Sequence, residues 1–239
     1  MPTVYYAGDS TVQTNDIATY PQTGMGQVLG LYLRADVPVS NHGKNGRSTK
    51  SYIAEQRLSP IGERITAGDF LLIQFGHNDE KEADRSRYAA PFGEYQANLE
   101  HIANVALERG AYPVLITPLE RRRFAPDGTP GDPTHGEYPE AVQQLGERLG
   151  IPVIDLNGES RKAIREAGPE GSKEWFLHLP AGKYAAFPDG KEDDTHLSYA
   201  GAVRFADIIA RGLERLGSPY DRILCPRVKE EEVFVSGVM

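Results

Sequence analysis

Four short segments of this sequence carry side chains that could together perform nucleophilic catalysis. The first, Gly8-Asp9-Ser10-Thr11, ends an apolar run and offers a serine hydroxyl. Such a hydroxyl is protonated at neutral pH, so it needs a base, a group that orients the base, and donors for the developing oxyanion. Residues 43–48, 76–79 and 193–196 offer side chains and backbone groups for these roles.

Ser10 also has an ordinary structural interpretation. A serine at a strand-to-helix turn is commonly a helix N-cap, and this role is compatible with catalysis because a helix N-terminus also stabilises a nearby anion. The surrounding residues do not form Gly-x-Ser-x-Gly, so the nucleophile elbow of α/β-hydrolases is absent. A base for Ser10 must therefore come from a distant part of the chain.

His196 is the best candidate for that base. Asp193 precedes it by three residues, and residues three apart face the same way in a turn or in the first turn of a helix. A carboxylate there could accept the Nδ1–H of His196 and leave Nε2 free for Ser10. Asp194 is the competing orienting group, although it is less well aimed, and a surface turn that caps the next helix is the structural alternative.

Gly46 and Asn78 suit an oxyanion hole together with the backbone N–H of Ser10. A glycine lets its N–H approach a ligand closely, and an asparagine amide donates without adding charge. Both could instead be turn or loop-capping residues. His77 has no evident orienting partner in the sequence, so we expect a structural or sugar-facing role for it.

Two further groups of residues admit functional interpretations. The run Arg121-Arg122-Arg123 precedes an irregular stretch and could bind the carboxylates of a ligand, because arginine binds carboxylates bidentately; a solvated loop is the alternative. Several histidines and aspartates could ligate a divalent metal ion, yet no His-x-His, Glu-x-x-His or phosphate-binding glycine loop occurs. We therefore expect no metal and no cofactor.

Short apolar runs alternate with amphipathic segments along the chain. This alternation predicts an α/β fold whose parallel sheet is covered by helices on both faces, and such sheets bind ligands at the carboxyl ends of their strands. Strands are predicted at residues 4–7, 37–40, 70–75, 113–117 and 153–156, and helices at 26–33, 51–65, 92–109, 139–149 and 199–216. Residues 119–137 and 177–194 are rich in glycine and proline and are predicted to be irregular.

Composition limits the class of protein. The 239 residues are 39% hydrophobic and 25% charged, which fits a single globular domain with a core over about residues 4–216 and an extension over 217–239. The net charge of -8 argues against nucleic-acid and anionic membrane partners, and Cys225 is the only cysteine. The N-terminal residues show no export signal, so we expect a cytoplasmic protein. The tail from Lys229 to Met239 could be an extra strand, a subunit contact that makes an oligomer, or a frayed end.

Together the four segments resemble the ordered blocks of the SGNH (GDSL-type) hydrolases. Ser10, Gly46, Asn78 and His196 with Asp193 match the four named positions and the acid, and the flanking residues are similar to the rhamnogalacturonan acetylesterase branch. The resemblance implies a flavodoxin-like three-layer αβα sandwich with five parallel strands, no metal, and removal of acetyl groups from plant cell-wall saccharides.

The resemblance therefore predicts a serine acetylesterase acting on acetylated oligosaccharides, with pectic rhamnogalacturonan fragments as the expected substrate. Acetylated xylo-oligosaccharides or short-chain esters in general are the alternative substrates. A metal-dependent phosphodiesterase and an inactive carbohydrate-binding protein are alternatives from other classes. Loss of activity with EDTA would favour the first of these, and the absence of any acetate release would favour the second.

Overall fold

One five-stranded parallel sheet organises residues 1–226, the part of the chain that the computed structural model describes. The strands are β1 Val4–Gly8, β2 Val39–Asn41, β3 Phe70–Gln74, β4 Tyr112–Ile116 and β5 Val153–Ile154. Their order in the sheet is β2-β1-β3-β4-β5, and every neighbouring pair is parallel. The sequence predicted all five strands to within two residues at each end, and it predicted the fold class.

Two apolar cores lie on opposite faces of the sheet. Successive side chains of a strand point to opposite faces, so Val4 and Tyr6 enter one core while Tyr5 and Ala7 enter the other. The helices are α1 Met25–Val28, α2 Thr49–Ala54, α3 Ser59–Gly62, α4 Gln96–Leu107, α5 Tyr138–Leu149, α6 Leu156–Gly171 and α7 Tyr199–Leu216. Helices α1, α6 and α7 cover the first face, and α2 to α5 cover the second.

Four of these helices, α1, α2, α3 and α6, differ from what periodicity predicted. The helix expected over residues 51–65 is divided into α2 and α3, because Gln56 between them has a left-handed φ of 56°. The helix expected over residues 26–33 becomes the short α1 followed by a 3-10 turn, Leu29–Tyr32. Helix α6 was not predicted, although its N-cap is conventional: the Asp155 side chain accepts from the Gly158 N–H at 3.1 Å.

The remaining elements agree more closely with the predictions. Helix α7 spans the predicted residues, and the two stretches predicted to be irregular contain no helix or strand. Within residues 1–226, no helix combines the length and the apolar character needed to cross a membrane.

The described part of the C-terminal extension packs against the domain. A 3-10 turn at Tyr220–Ile223 follows α7, and Leu224 then forms an antiparallel bridge with Leu33. The tail from Lys229 to Met239 lies outside the described residues, so its expected role as a strand, a subunit contact or a frayed end stays a prediction.

Gly201→Ala should destabilise the junction between α7 and the segment before it. A Cβ on Gly201 would lie 1.9 Å from the backbone carbonyl oxygen of Trp175. Because this oxygen belongs to the backbone, the clash can be relieved only if the Trp175 segment and α7 move apart. We expect the free energy of unfolding to fall by about 1–3 kcal/mol in urea denaturation. Gly62→Ala is the matched control, because its Cβ would meet only Val105 at 3.5 Å. Equal losses in both variants would contradict this account.

Candidate active site

The turn after β1 presents Ser10 at the carboxyl edge of the sheet. The carbonyl oxygen of Asp9 accepts from the N–H groups of Val12 and Gln13, each at 3.2 Å, which closes the turn around Ser10. No helix begins at Ser10: the next helical turn starts at Ile17 and is capped by Asp16. The interpretation of Ser10 as a helix N-cap is therefore wrong.

A cleft of about 470 Å³ opens over this turn. Parallel strands end at the same edge of a sheet, so the loops after β1, β2 and β3 all reach it. Of the nine predicted site residues, seven line the cleft, together with Lys81, Arg87 and Thr195; the seven are Ser10, Gly46, His77, Asn78, Arg121, Asp193 and His196.

His196 is oriented by Asp193 through two contacts. Its Nδ1 lies 2.8 Å from Oδ2 of Asp193, and its backbone N–H donates to Oδ1 at 2.9 Å. Burial alone would raise the pKa of Asp193, but these hydrogen bonds, the attraction to a protonated His196 ring and the Thr195 N–H outweigh it and hold the pKa below its ordinary value. With Nδ1 engaged, Nε2 is the ring nitrogen of His196 that remains for the cleft.

Asp194, the competing orienting residue, is engaged elsewhere. Its Oδ1 lies 2.7 Å from Nη1 of Arg122 and 2.6 Å from Nε2 of His178. The structure therefore separates the two adjacent carboxylates, with Asp193 directed to His196 and Asp194 directed away from it.

Gly46 and Asn78 come from the loops after β2 and β3. Gly46 has a φ of 73°, in the left-handed region that a side chain disfavours, and no atom lies within 4 Å of the place a Cβ would take. The Lys44 N–H donates to the carbonyl oxygen of Gly8 at 2.9 Å, which fixes the Gly46 loop beside the Ser10 turn. The amide Nδ2 of Asn78 donates to the carbonyl oxygen of Arg47 at 3.1 Å.

His77 has an orienting partner that the sequence did not reveal. Its Nδ1 lies 3.2 Å from Oδ2 of Asp9, the residue before Ser10, and the other side of its ring packs edge-on against His135. Burial lowers the pKa of His77, opposed by the Asp9 carboxylate, so the ring is neutral at pH 7 and donates Nδ1–H to Asp9. Asp9 in Gly-Asp-Ser is the only sequence feature that could have indicated this partner. Local sequence patterns do not connect it to His77, which lies 68 positions away.

The arginine run divides between different parts of the molecule. Arg121 lines the cleft and is ion-paired with Glu80. Arg122 instead donates to Ser172, Asp194 and the Pro169 carbonyl, and Arg123 is exposed along a separate groove. Side chains of successive residues in an extended loop point in different directions, so the expectation that all three arginines face one substrate does not hold; only Arg121 remains.

Lys81 and Arg87 are cleft residues that the sequence did not identify. Both lie on the loop that follows Asn78, and with Arg121 they place three cationic side chains in one cleft. Burial, then the charges of Arg87 and Arg121, lowers the pKa of Lys81. A lysine and an arginine in a polar loop carry no pattern that would distinguish them from solvated surface charges.

Asp79 is a buried carboxyl that joins the loops after β2 and β3. Its Oδ1 accepts from the N–H of Thr49 at 2.9 Å and from the Thr49 hydroxyl at 2.5 Å. Its Oδ2 is buried without a hydrogen-bond partner among the described residues. Burial raises the pKa of Asp79 to about 7, although the Thr49 hydrogen bonds oppose the shift. Asp79 directly follows Asn78 in the sequence. Its hydrogen bonds to Thr49 therefore tie the start of α2, next to the Gly46 loop, to the loop that carries Asn78.

The amino-acid sequence matches the family model described as the GDSL-like Lipase/Acylhydrolase family over residues 6–204. A rhamnogalacturonan acetylesterase of Bacillus subtilis (strain 168) is 43% identical over 230 residues, which are 96% of this chain and 97% of that protein. A rhamnogalacturonan acetylesterase of Emericella nidulans is 38% identical, over 93% of this chain and 89% of its own length.

Solved structures share the fold at low sequence identity. A Bacillus subtilis protein superposes with a TM-score of 0.77 at 24% identity. The superposition covers 91% of this chain and 57% of that protein, which is longer. An acetylxylan esterase from Geobacillus stearothermophilus superposes with a TM-score of 0.61 at 18% identity, over 92% of this chain and 95% of the esterase. These likenesses concern the fold, and they confirm the α/β sandwich that the sequence predicted.

Asp79→Asn should remove a pH dependence of stability. The pKa of Asp79 is about 7 in the folded protein and about 3.9 in an unfolded chain. Between these two pKa values the folded state binds a proton that the unfolded chain does not. The contribution of Asp79 to the free energy of unfolding is therefore complete below about pH 4 and is lost as the pH rises through about 7. Between about pH 5 and pH 8, the free energy of unfolding of the native protein should fall by on the order of 2–3 kcal/mol relative to the variant.

Urea denaturation of both proteins across this pH range measures the difference. The amide of the variant can still accept from Thr49 through its oxygen but cannot titrate. Two stability profiles that run parallel from pH 5 to pH 8 would contradict the assignment of a protonated Asp79.

Proposed function

The chain belongs to the GDSL-like lipase/acylhydrolase family, and on this premise we propose that it removes acetyl groups from pectic saccharides with Ser10 as the nucleophile. Membership makes it an ester hydrolase. The observation that carries the proposal is the convergence of Ser10, the Asp193–His196 pair, Gly46 and Asn78 on one cleft.

In the proposed reaction, the Ser10 hydroxyl oxygen attacks the acetyl carbonyl carbon while Nε2 of His196 takes the hydroxyl proton. Asp193 stabilises the imidazolium that forms, as a carboxylate does in serine hydrolases. The N–H groups of Ser10 and Gly46 and the Asn78 amide donate to the oxyanion of the tetrahedral intermediate. His196 then protonates the departing sugar oxygen, and water attacks the acyl-enzyme, releasing acetate and restoring the Ser10 hydroxyl.

We assign the base to His196 and not to His77, although both histidines are paired with an aspartate. The His77 ring is almost fully buried and packed against His135, whereas the His196 side chain is 32% exposed within the cleft. Burial also lowers the pKa of His77, and a weaker base accepts the serine proton less readily. The Asp9–His77 pair instead supports the turn that carries Ser10.

The charge of the cleft and the names of the relatives both favour an acidic saccharide. The two relatives at 43% and 38% identity carry the name rhamnogalacturonan acetylesterase. The whole chain has a net charge of -8, yet Lys81, Arg87 and Arg121 surround this cleft. Arg121 is paired with Glu80 and Arg87 with Asp84, while Lys81 has no carboxylate within 4 Å in the described part of the chain. A cleft cation with no carboxylate at ion-pair distance suits the carboxylate of a uronic acid next to the acetylated sugar.

The cytoplasmic location and the association through the C-terminal tail stay predictions. Acetylated xylo-oligosaccharides remain the second candidate substrate, because an acetylxylan esterase shares the fold.

Ser10→Ala and Asp193→Asn should strongly lower the kcat of ester hydrolysis, whereas Asp194→Asn should leave it unchanged. Loss of a serine nucleophile in such a triad costs roughly 10⁶-fold in kcat, and loss of the orienting carboxylate costs about 10⁴-fold. Asp194 is the matched control, because it has the same side chain at the adjacent position but contacts Arg122 and His178. The test is the rate of acetate release from 4-nitrophenyl acetate and from acetylated oligosaccharides, measured for the unaltered protein and the three variants.

The same assay tests the rival functions. Activity that persists in EDTA is expected for the serine mechanism, whereas a metal-dependent phosphodiesterase would lose its activity and regain it with added metal. Native-like rates in Ser10→Ala, or no acetate release by the unaltered protein, would overturn the proposal.

Acetylated fragments that carry uronate groups should have a lower KM than neutral acetylated xylo-oligosaccharides of the same length. The difference should shrink as salt rises from about 0.01 M to about 1 M, because ions screen the attraction between exposed charges. Measurement of KM at both salt concentrations checks this. Equal and salt-independent KM values for the two substrates would favour the xylo-oligosaccharide alternative.

A further inference from the structure

The amide of Asn78 is held at its oxygen by two cationic side chains. Its Oδ1 accepts from Nζ of Lys81 at 3.1 Å and from Nη1 of Arg87 at 3.2 Å. At the other end of the amide, Nδ2 donates to the carbonyl oxygen of Arg47 at 3.1 Å. Arg87 is itself fixed by Asp84, whose Oδ2 accepts from its Nε at 2.6 Å.

These contacts determine which way the amide faces. Exchanging its oxygen and nitrogen would set an NH₂ group against the donors of Lys81 and Arg87, and would set the oxygen against the Arg47 carbonyl. Both lysine and arginine donate only and cannot accept. The nitrogen end of Asn78 is therefore the end left to donate, and one of its two hydrogens is used by Arg47.

The two cations also change the strength of the remaining donor. A positive charge at the amide oxygen draws electron density from the nitrogen, which makes the N–H a stronger hydrogen-bond donor. Hydrogen bonds to charged groups are roughly twice as strong as neutral ones, so the amide is held rigidly as well as polarised. Donors that are oriented before the reaction contribute most to stabilising an oxyanion.

We propose that Lys81 and Arg87 are positioning residues that orient and polarise the Asn78 amide for the developing oxyanion. This inference rests on the proposed function of Asn78, and it assigns to the two cations a role that does not depend on the charge of the saccharide. Their loss therefore slows the reaction of every acetyl ester, neutral or acidic.

Lys81→Met and Arg87→Met should each lower kcat about tenfold on neutral 4-nitrophenyl acetate and on an acetylated uronate-containing oligosaccharide, with thermal unfolding unchanged. Lys81→Arg retains a cationic donor and should restore most of the rate. Arg85→Met is the matched control: Arg85 is an exposed cation on the same loop that does not line the cleft. Its kcat should equal that of the unaltered protein.

A double-mutant cycle with Asn78→Ala separates this role from any other. If the cations act through the Asn78 amide, then Lys81→Met should cost less than twofold in kcat when it is added to Asn78→Ala. Two results would overturn the proposal while leaving the serine mechanism intact. One is an unchanged kcat on 4-nitrophenyl acetate with a raised KM for the acidic oligosaccharide alone. The other is a full tenfold loss of kcat when Lys81→Met is added to Asn78→Ala.

Discussion

The parallel pairing of β1 with both β2 and β3 is the constraint on which the site depends. Val4 lies opposite Val39 on one side and Phe70 on the other, so three strands start in register and run in the same direction. The turns that follow them must then emerge at one edge, where the strand order reverses. Segments separated by tens of residues thereby present Ser10, Gly46 and Asn78 to one cleft. His196 reaches the same cleft from the short segment between residue 194 and the start of α7.

Polar contacts between distant segments fix the loops at that edge. The carboxyls of Asp9 and Asp79 are buried, and each accepts a hydrogen bond from a side chain of another segment: His77 after β3 for Asp9, and Thr49 at the start of α2 for Asp79. Burying a carboxyl without such partners is costly, so each bond restrains the segment that supplies the donor. The support of the site is thus made of ionisable groups that do not touch the reacting atoms in the proposed mechanism.

Local charge in the cleft differs from the charge of the molecule. The net charge of -8 describes the whole surface, whereas the field at the reacting ester depends on the nearest groups. Lys81, Arg87 and Arg121 line the cleft, and of these Lys81 has no carboxylate within 4 Å among the described residues, while the Asp193 carboxylate is directed to His196. Overall composition argues against nucleic-acid and anionic membrane partners but carries no information about this cleft. In the proposed reaction, Lys81 and Arg87 favour the developing oxyanion through the Asn78 amide.

The sequence alone determined the strands, their alternation with helices, and the four segments that carry Ser10, Gly46, Asn78 and the Asp193–His196 pair. These features depend on local periodicity and on residues close together in the chain. Tertiary structure decided the rest: the Asp9 partner of His77, the separation of Arg121 from Arg122 and Arg123, and the two cations at the Asn78 amide. Such contacts depend on how irregular loops fold over the sheet edge. Side-chain directions in those loops have no period, so only the packed structure shows which distant groups meet.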